Sequence, residues 1–524
     1  MTDSTTPTTR MNGAESLVHS LLANGVEVCF TNPGTSEMHF VAALDHIPGM
    51  RSILALQEGV ATGAADGYYR MTGKPASTLL HLGPGLANGL SNLHNAKKAG
   101  SGVVNIVGEH ASTHIALDAP LTSDIAGIAA PVSHWVRISP TAQTVGKDAA
   151  EAVQAARVSP GQIATLILPS DTAWNEGGVV QDAVDMPVPA PFDADYLDAA
   201  VTALDGPDSL LLLGGGALTE DNLETAGRIA AKTGCKLLSE WSNARLERGA
   251  GRVFVGRVPY PIDMALEVLA PFKRIVLIGA RAPIGFFAYP DKPAILTREG
   301  AEILPLAGAG ADLTGALDAL CVATDSGQTP PADLVAPSVP TRPSGPINRD
   351  SLAALIARAI PEDAIVVDES VTTGRAFSPA TKCAAKHTWL NNCGGSIGYA
   401  LPAAIGAAIA CPDRKVMCLT GDGSAMYTVQ SLWTMARENL DITVLVFANQ
   451  SYQILRGELT NVGVGNPGPR AVDMLSLDRP ALDWVQMAQS MGVQASRVAD
   501  CDGLENALQD GLTCGGPNLI EVML

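Results

Sequence analysis

The 524-residue chain predicts an α/β protein of three domains, each a mostly parallel sheet flanked by helices. Short apolar runs alternate with helical periodicity along its length, the pattern of repeated βαβ units. The length exceeds what one hydrophobic core supports and suits three domains of roughly 150–200 residues. Two proline-rich stretches with little apolar periodicity, 176–192 and 325–346, stand where linkers would. The domains so delimited are 11–175, 193–324 and 347–524.

Hydrophobic residues make up 47% of the chain and charged residues 17%, a globular composition without a disorder signature. The net charge of −19, with no long basic run, argues against nucleic acid or an anionic membrane surface as partner. Nine cysteines without Cys-x-x-Cys or zinc-like spacing read as reduced thiols. The polar start, Met1 to Arg10, has no apolar core, and no apolar run reaches transmembrane length; a cytoplasmic protein is expected.

In 11–175, Glu15 to Asn24 has helical amphipathicity, Val26 to Phe30 reads as a strand and Asn32-Pro33-Gly34-Thr35 as a turn. A strand from Ser52 to Leu56 leads through Gln57-Glu58-Gly59 into a helix from Ala61 to Met71. Glu58 therefore stands at a strand-to-helix junction, where α/β proteins place ligands. A strand from Thr78 to Leu82 brings up His81, another from Val103 to Val107 precedes Gly108-Glu109-His110, and Ile163 to Leu168 closes the domain. Every histidine except His387 falls at or before His134, which concentrates proton carriers in this domain.

The middle domain opens with a strand from Ser209 into Gly214-Gly215-Gly216, a helix near Asp221 to Lys232, and strands at Lys236 to Ser239 and Arg274 to Gly279. Glycines after a strand suit a nucleotide but also occur in folds that bind nothing there, so FAD in this domain is left open. In 347–524, a strand from Ala364 to Asp368 precedes Glu369-Ser370-Val371-Thr372-Thr373, and Gly394-Gly395-Ser396-Ile397-Gly398 precedes an apolar helix to Ala410.

The chemistry is organised around one βαβ unit of this third domain. A strand beginning at Val416 runs into Gly421-Asp422-Gly423-Ser424, a helix-like stretch spans Thr428 to Asn439, and a second strand from Ile442 ends at Asn449-Gln450-Ser451-Tyr452. Parallel strands finish on one edge, so Asp422 and Asn449 can meet although a helix and a strand separate them along the chain. One carboxylate, one amide oxygen and a nearby main-chain carbonyl suit Mg2+, which completes its octahedral shell with water and phosphate oxygens. A diphosphate is then the expected guest. Gly421 and Gly423 let the backbone approach the anion, and Ser424 and Thr372 can donate hydroxyl hydrogens to it.

Gly421-Asp422-Gly423 at the end of one strand, with Asn449 at the end of the next, resembles the thiamine-diphosphate motif. Over nearly its whole length the chain resembles the thiamine-diphosphate enzymes that include acetolactate synthase and benzoylformate decarboxylase. Asn32-Pro33-Gly34, Leu80-His81, Gly-Asp-Gly-Ser-Ala and Tyr452 with Leu455-Arg456 carry the likeness to the latter. The resemblance implies thiamine diphosphate and Mg2+ as cofactors, with Asp422, Asn449 and the Ser451 carbonyl as metal ligands. It implies Glu58 as the carboxylate that hydrogen-bonds the cofactor's pyrimidine ring, Ile397 as the apolar prop between its rings, the Gly395 carbonyl as acceptor for its amino group, and Tyr452 as a further contact. His81, one helix and one strand beyond Glu58, matches the family's first active-site histidine in its spacing, and Thr35 stands for its pocket serine.

The departures are local. Gln450 replaces an Asn common in the family, and Phe287 stands where benzoylformate decarboxylase has a second histidine; Phe287, Ile454 and Leu455 are assigned to the substrate pocket. Asp118-Ala119 is followed by Pro120-Leu121, unlike the amino-acid-pathway acetolactate synthases. The expected reaction is decarboxylation of a 2-oxo acid with ligation of the acyl unit to a carbonyl acceptor, by a homodimer or dimer of dimers with sites between chains. The alternatives are a decarboxylase that releases an aldehyde, with His81 as proton carrier, and a non-catalytic nucleotide-binding scaffold.

Overall fold

In the computed structural model, which describes residues 10–524, the apolar runs of the first segment become a six-stranded parallel sheet. Its strands are β1 (Val28–Asn32), β2 (Arg51–Leu54), β3 (Ala76–Leu80), β4 (Val103–Glu109), β5 (Trp135–Ile138) and β6 (Ile163–Pro169), in the order β2-β1-β3-β4-β6-β5. Strands β3, β4 and β6 are buried along their whole length, which is why they read as unbroken apolar runs. Strand β5 is only part-buried, has no such run, and is absent from the expected set. The polar start expected to be neither signal nor anchor lies outside the described residues, apart from Arg10.

All carboxyl ends of this sheet share one edge, and the strand order reverses between β1 and β3, opening a crevice there. His81 follows β3 directly, and Glu58 begins the helix Glu58–Thr72. Leu17, Phe40, Ile106 and Leu166 are among the fully buried residues of the core beneath.

The described chain divides into two compact units, up to Val188 and from Pro189 onward. The second contributes β7 (Ser209–Leu213), β8 (Lys236–Ser239), β9 (Leu246–Arg248), β10 (Gly256–Arg257), β11 (Arg274–Ile278) and β12 (Glu302–Ala307) from its middle segment. All but β9 form a parallel sheet in the order β10-β8-β7-β11-β12. Then come β13 (Ala364–Glu369), β14 (His387–Asn391), β15 (Val416–Gly421), β16 (Ile442–Ala448), β17 (Gln494–Val498) and β18 (Asn518–Met523), ordered β17-β18-β16-β15-β13-β14-β9. Strand β9 thus leaves its own segment to pair antiparallel with β14, Leu246 opposite Trp389. The segment 193–324 therefore adds an edge strand to the sheet of 347–524.

Two local expectations change. The helix-like stretch Thr428 to Asn439 shortens to a helix Ser431–Arg437, preceded by a turn of helix Asp422–Ala425 and a 3-10 turn Met426–Thr428. Asn439 leaves it at φ +48°, a left-handed conformation that Asn tolerates. The first of the three glycines after β7 answers a packing demand: a Cβ on Gly214 would stand 2.6 Å from the Gly279 carbonyl oxygen, and one on Gly279 only 2.3 Å from that of Gly214. The turns ending β7 and β11 press together there, which accounts for Gly214 and Gly279 without any nucleotide.

Candidate active site

In the first unit, the turn after β1 folds back onto His81. A Cβ on Gly34 would lie 2.2 Å from the imidazole ring, so only glycine admits the ring. Glu37, at the end of the same turn, is buried and takes two donors on Oε2: the Gly34 N–H at 2.7 Å and His81 Nδ1 at 2.9 Å. Facing a carboxylate acceptor, the neutral form of the ring carries its proton on Nδ1, which leaves Nε2 as an acceptor. Glu37 Oε1 is buried without a hydrogen-bond partner, and a Cβ on Gly108 of β4 would come within 1.6 Å of it. Thr35 lies in this turn and is exposed.

Glu58 is 8% exposed at the first position of its helix, where the macrodipole favours a carboxylate. Asn88, on the helix Leu82–Ala99, donates to its Oε2 at 3.0 Å. Small residues let the two helices close up: a Cβ on Gly85 would stand 3.2 Å from Glu58 Oε1, and one on Gly89 would stand 3.0 Å from Thr62.

In the second unit, β15 and β16 run in parallel with Gly421 opposite Phe447, so Asp422 and Asn449 leave neighbouring strand ends together. Asp422 is buried; its Oδ1 accepts from the Gly423 N–H at 2.8 Å and its Oδ2 from the Gln450 N–H at 2.7 Å. Burial holds its carboxyl above the usual carboxylate range, against the pull of those two N–H groups. Asn449 Oδ1 accepts from the Ser451 N–H at 3.0 Å. A Cβ on Gly421 would meet nothing within 4 Å, whereas one on Gly423 would strike the Tyr452 ring at 2.6 Å. Tyr452 therefore packs on Gly423, beside open space at Gly421; Ser424 is buried in the same turn.

Two further segments belong to this unit. Asn392 Oδ1 accepts from the Gly394 and Gly395 N–H groups at 3.1 and 2.9 Å, and its Nδ2 donates to the Ser396 carbonyl at 2.7 Å. This ties the turn that carries Gly395 and the half-buried Ile397. Gly395 sits at φ +78° with the Phe286 ring 2.9 Å from where its Cβ would be, so glycine is required twice over. Beside it a cavity of about 300 Å³ is lined by Tyr260, Phe286, Phe287, Thr372, Ile454 and Glu458, among others. Phe286 packs edge-on against Trp241 and Phe287, with ring centroids 5.1 and 4.7 Å apart. Tyr289 donates to Glu458 Oε2 at 2.6 Å, and burial followed by this bond pushes its hydroxyl pKa up. Leu455, 44% exposed, is not among the lining residues.

Comparison with known proteins gives the arrangement a family. Residues 11–128 match the model of the thiamine pyrophosphate enzyme N-terminal TPP binding domain, and residues 372–522 that of the C-terminal TPP binding domain. The chain belongs to the thiamine pyrophosphate enzymes. It is 48% identical over 98% of its length, and 99% of the other's, to a Mycobacterium tuberculosis protein named "Putative acetolactate synthase large subunit IlvX". It is 29% identical to benzoylformate decarboxylase of Pseudomonas aeruginosa, covering 96% of this chain and 97% of that one. The fold matches the Rhodococcus jostii thiamine diphosphate-dependent 4-hydroxybenzoylformate decarboxylase with a TM-score of 0.86 at 24% identity, over 98% and 99% of the two chains. Membership of this enzyme family sets the scaffold alternative aside.

The residues fit the group this family uses. The buried carboxylate of Asp422, an amide one strand away and unfilled space at Gly421 suit a hard cation that carries phosphate oxygens. Sequence reasoning missed Glu37, Asn88, Asn392 and Phe286. Glu37 stands two positions after Thr35, and that closeness was its only signal.

Proposed function

We propose that the chain, with thiamine diphosphate and Mg2+ bound, decarboxylates a 2-oxo acid and ligates the acyl unit to a second carbonyl compound. Asp422, Asn449 and the Ser451 carbonyl would hold the ion; Gly421, Gly423, Ser424 and Thr372 would line the diphosphate; Gly395, Ile397 and Tyr452 would contact the rest of the cofactor. Bound thiamine diphosphate supplies the electron sink that lets a bond beside a carbonyl carbon break.

The protein's own groups bind, orient and move protons. Glu58, anchored at Oε2 by Asn88, is suited to exchange a proton through its other oxygen. Thr35 and Nε2 of His81 offer a hydroxyl and an imidazole acceptor, and Tyr260, Phe286 and Phe287 give the cavity an aromatic wall. The observation that carries the ligation reading is the cavity itself: about 300 Å³ is ample for a second small carbonyl compound beside the first. The name of the mycobacterial relative supports the same reading.

A second reading is favoured by the Glu37–His81 contact: an imidazole held at Nδ1 by a carboxylate can take a proton from water on Nε2 and pass it to a product carbon, giving a decarboxylase that releases an aldehyde. A panel of 2-oxo acids, run with and without added aldehydes and analysed for CO2, free aldehyde and ligated product, separates the two. Ligated product supports the proposal; CO2 with free aldehyde alone overturns it in favour of the second reading.

A further inference from the structure

Glu369 ends β13, and its carboxylate is 4% exposed. The Tyr399 N–H reaches both of its oxygens at 3.1 Å, the Ala400 N–H reaches Oε2 at 3.1 Å, and the Asn392 side-chain amide reaches Oε1 at 3.2 Å. One buried carboxylate therefore grips both ends of the segment 392–400. At the far end it caps the first turn of the helix Ala400–Ala410. At the near end it holds the Asn392 side chain, which bonds Gly394, Gly395 and Ser396. Neighbouring Asp368 is engaged elsewhere, with Ser370, Trp389 and Asn391. Burial pushes the Glu369 carboxyl up to about 7, while the N–H donors pull it down.

We propose that Glu369 is a positioning residue for the cofactor's ring seat: by clamping both ends of 392–400 it sets the direction of the Gly395 carbonyl and the depth of the Ile397 side chain. This rests on the reading of those two residues given above. The clamp needs two acceptor oxygens, which the ionised carboxylate supplies above about pH 7, and both arms of the test are run there. A glutamine has one, and its amide group would face N–H donors at the other end. The clamp bonds named above reach none of Thr372, Gly421, Asp422 and Asn449, so the ring seat and the diphosphate seat are held by separate contacts.

The test uses the full-length protein in two states. Without cofactor, amide hydrogen exchange by mass spectrometry is compared between wild type and Glu369→Gln. Peptides covering 392–400 are expected to exchange at least ~10-fold faster in the variant, with peptides of β16 unchanged. With saturating thiamine diphosphate and Mg2+, exchange of the cofactor's C2 proton into D2O is expected to slow by ~10-fold or more while cofactor affinity moves by less than about threefold. Asn392→Ala, which releases only the near end, should act in the same sense and serves if Glu369→Gln does not fold.

Unchanged amide exchange overturns the clamp. Faster amide exchange with unchanged C2 exchange overturns the positioning role and leaves a helix cap. If wild type takes up no thiamine diphosphate, the proposed function fails and the positioning role with it, while the cofactor-free arm still reports whether the clamp exists.

Discussion

His81 owes its chemistry to a residue far from it along the chain. The ring is 22% exposed, while the Glu37 side chain beneath it is fully buried, so solvent does not compete for the Nδ1 contact. In Glu37→Gln the side chain can donate as well as accept, and the ring is free to turn its proton to Nε2. Turnover is expected to fall by roughly 10²-fold, the scale of lost acid–base catalysis, with thiamine diphosphate affinity unchanged. Steady-state assays at saturating cofactor check this; full activity would show that His81 needs no fixed tautomer. Glu58, His81, Asp422 and Asn449 were legible in the sequence because each stands just past a strand, and strand ends are what apolar periodicity reveals. Glu37 and Glu369 were not, because their partners are main-chain N–H groups and side chains brought together by turns. Periodicity says nothing of where a turn folds back.

At the level of the element, strain gathers at the strand ends. Leu82, Val371 and Gln450 all have positive φ, at +51°, +46° and +53°, and each adjoins a candidate residue: His81, Thr372, and Asn449 with Ser451. Left-handed backbone costs a non-glycine residue roughly 1–2 kcal/mol, least for Asn, and such strain persists where the surroundings impose it. At Gln450 the turn aims its N–H at Asp422, which gives a physical reason for the Asn that many family members carry there. Gln450→Asn is expected to stabilise the protein by up to about 1 kcal/mol, read as a later urea midpoint, without loss of cofactor binding. An earlier midpoint would show that the Gln side chain contributes more than its backbone costs. The sequence revealed β15 and β16 but not β9, which is too short to show any periodicity and whose partner, β14, lies beyond the rest of the middle segment and the second linker. It revealed a helix beyond Asp422 but not the two short turns, Asp422–Ala425 and Met426–Thr428, that precede it.

For the molecule as a whole, two buried groups set opposing pH dependences. Burial, with Arg248 nearby, lowers the His387 pKa to about 3 from 6.5, so below pH 6.5 the unfolded chain takes up a proton that the folded one refuses. Stability from this group is complete above pH 6.5 and is lost as pH falls toward 3, by at most about 1.4 kcal/mol per pH unit. Glu369, raised from 4.5 to about 7, works the other way: the folded state holds a proton that the unfolded one has released, so its contribution declines as pH rises from 4.5 to 7. Between pH 4.5 and 6.5 the two slopes offset each other. In His387→Asn, whose amide can still donate to the Ala385 carbonyl as Nδ1 does, stability relative to wild type should rise as pH is lowered through that window. Urea denaturation of both proteins at several pH values checks the sign, and parallel curves would refute it. Assembly is the larger question at this scale, since the family resemblance implies a homodimer whose sites draw on two chains. If so, each site takes Glu58 from one protomer and Asp422 from its partner, and two inactive variants can complement. When Glu58→Gln and Asp422→Ala chains are mixed and refolded, half the dimers are mixed, and each mixed dimer has one site with both residues intact. Activity should return to about one quarter of wild type. Sites built within single chains would leave every mixed dimer without an intact site, and the mixture would stay as inactive as its parents.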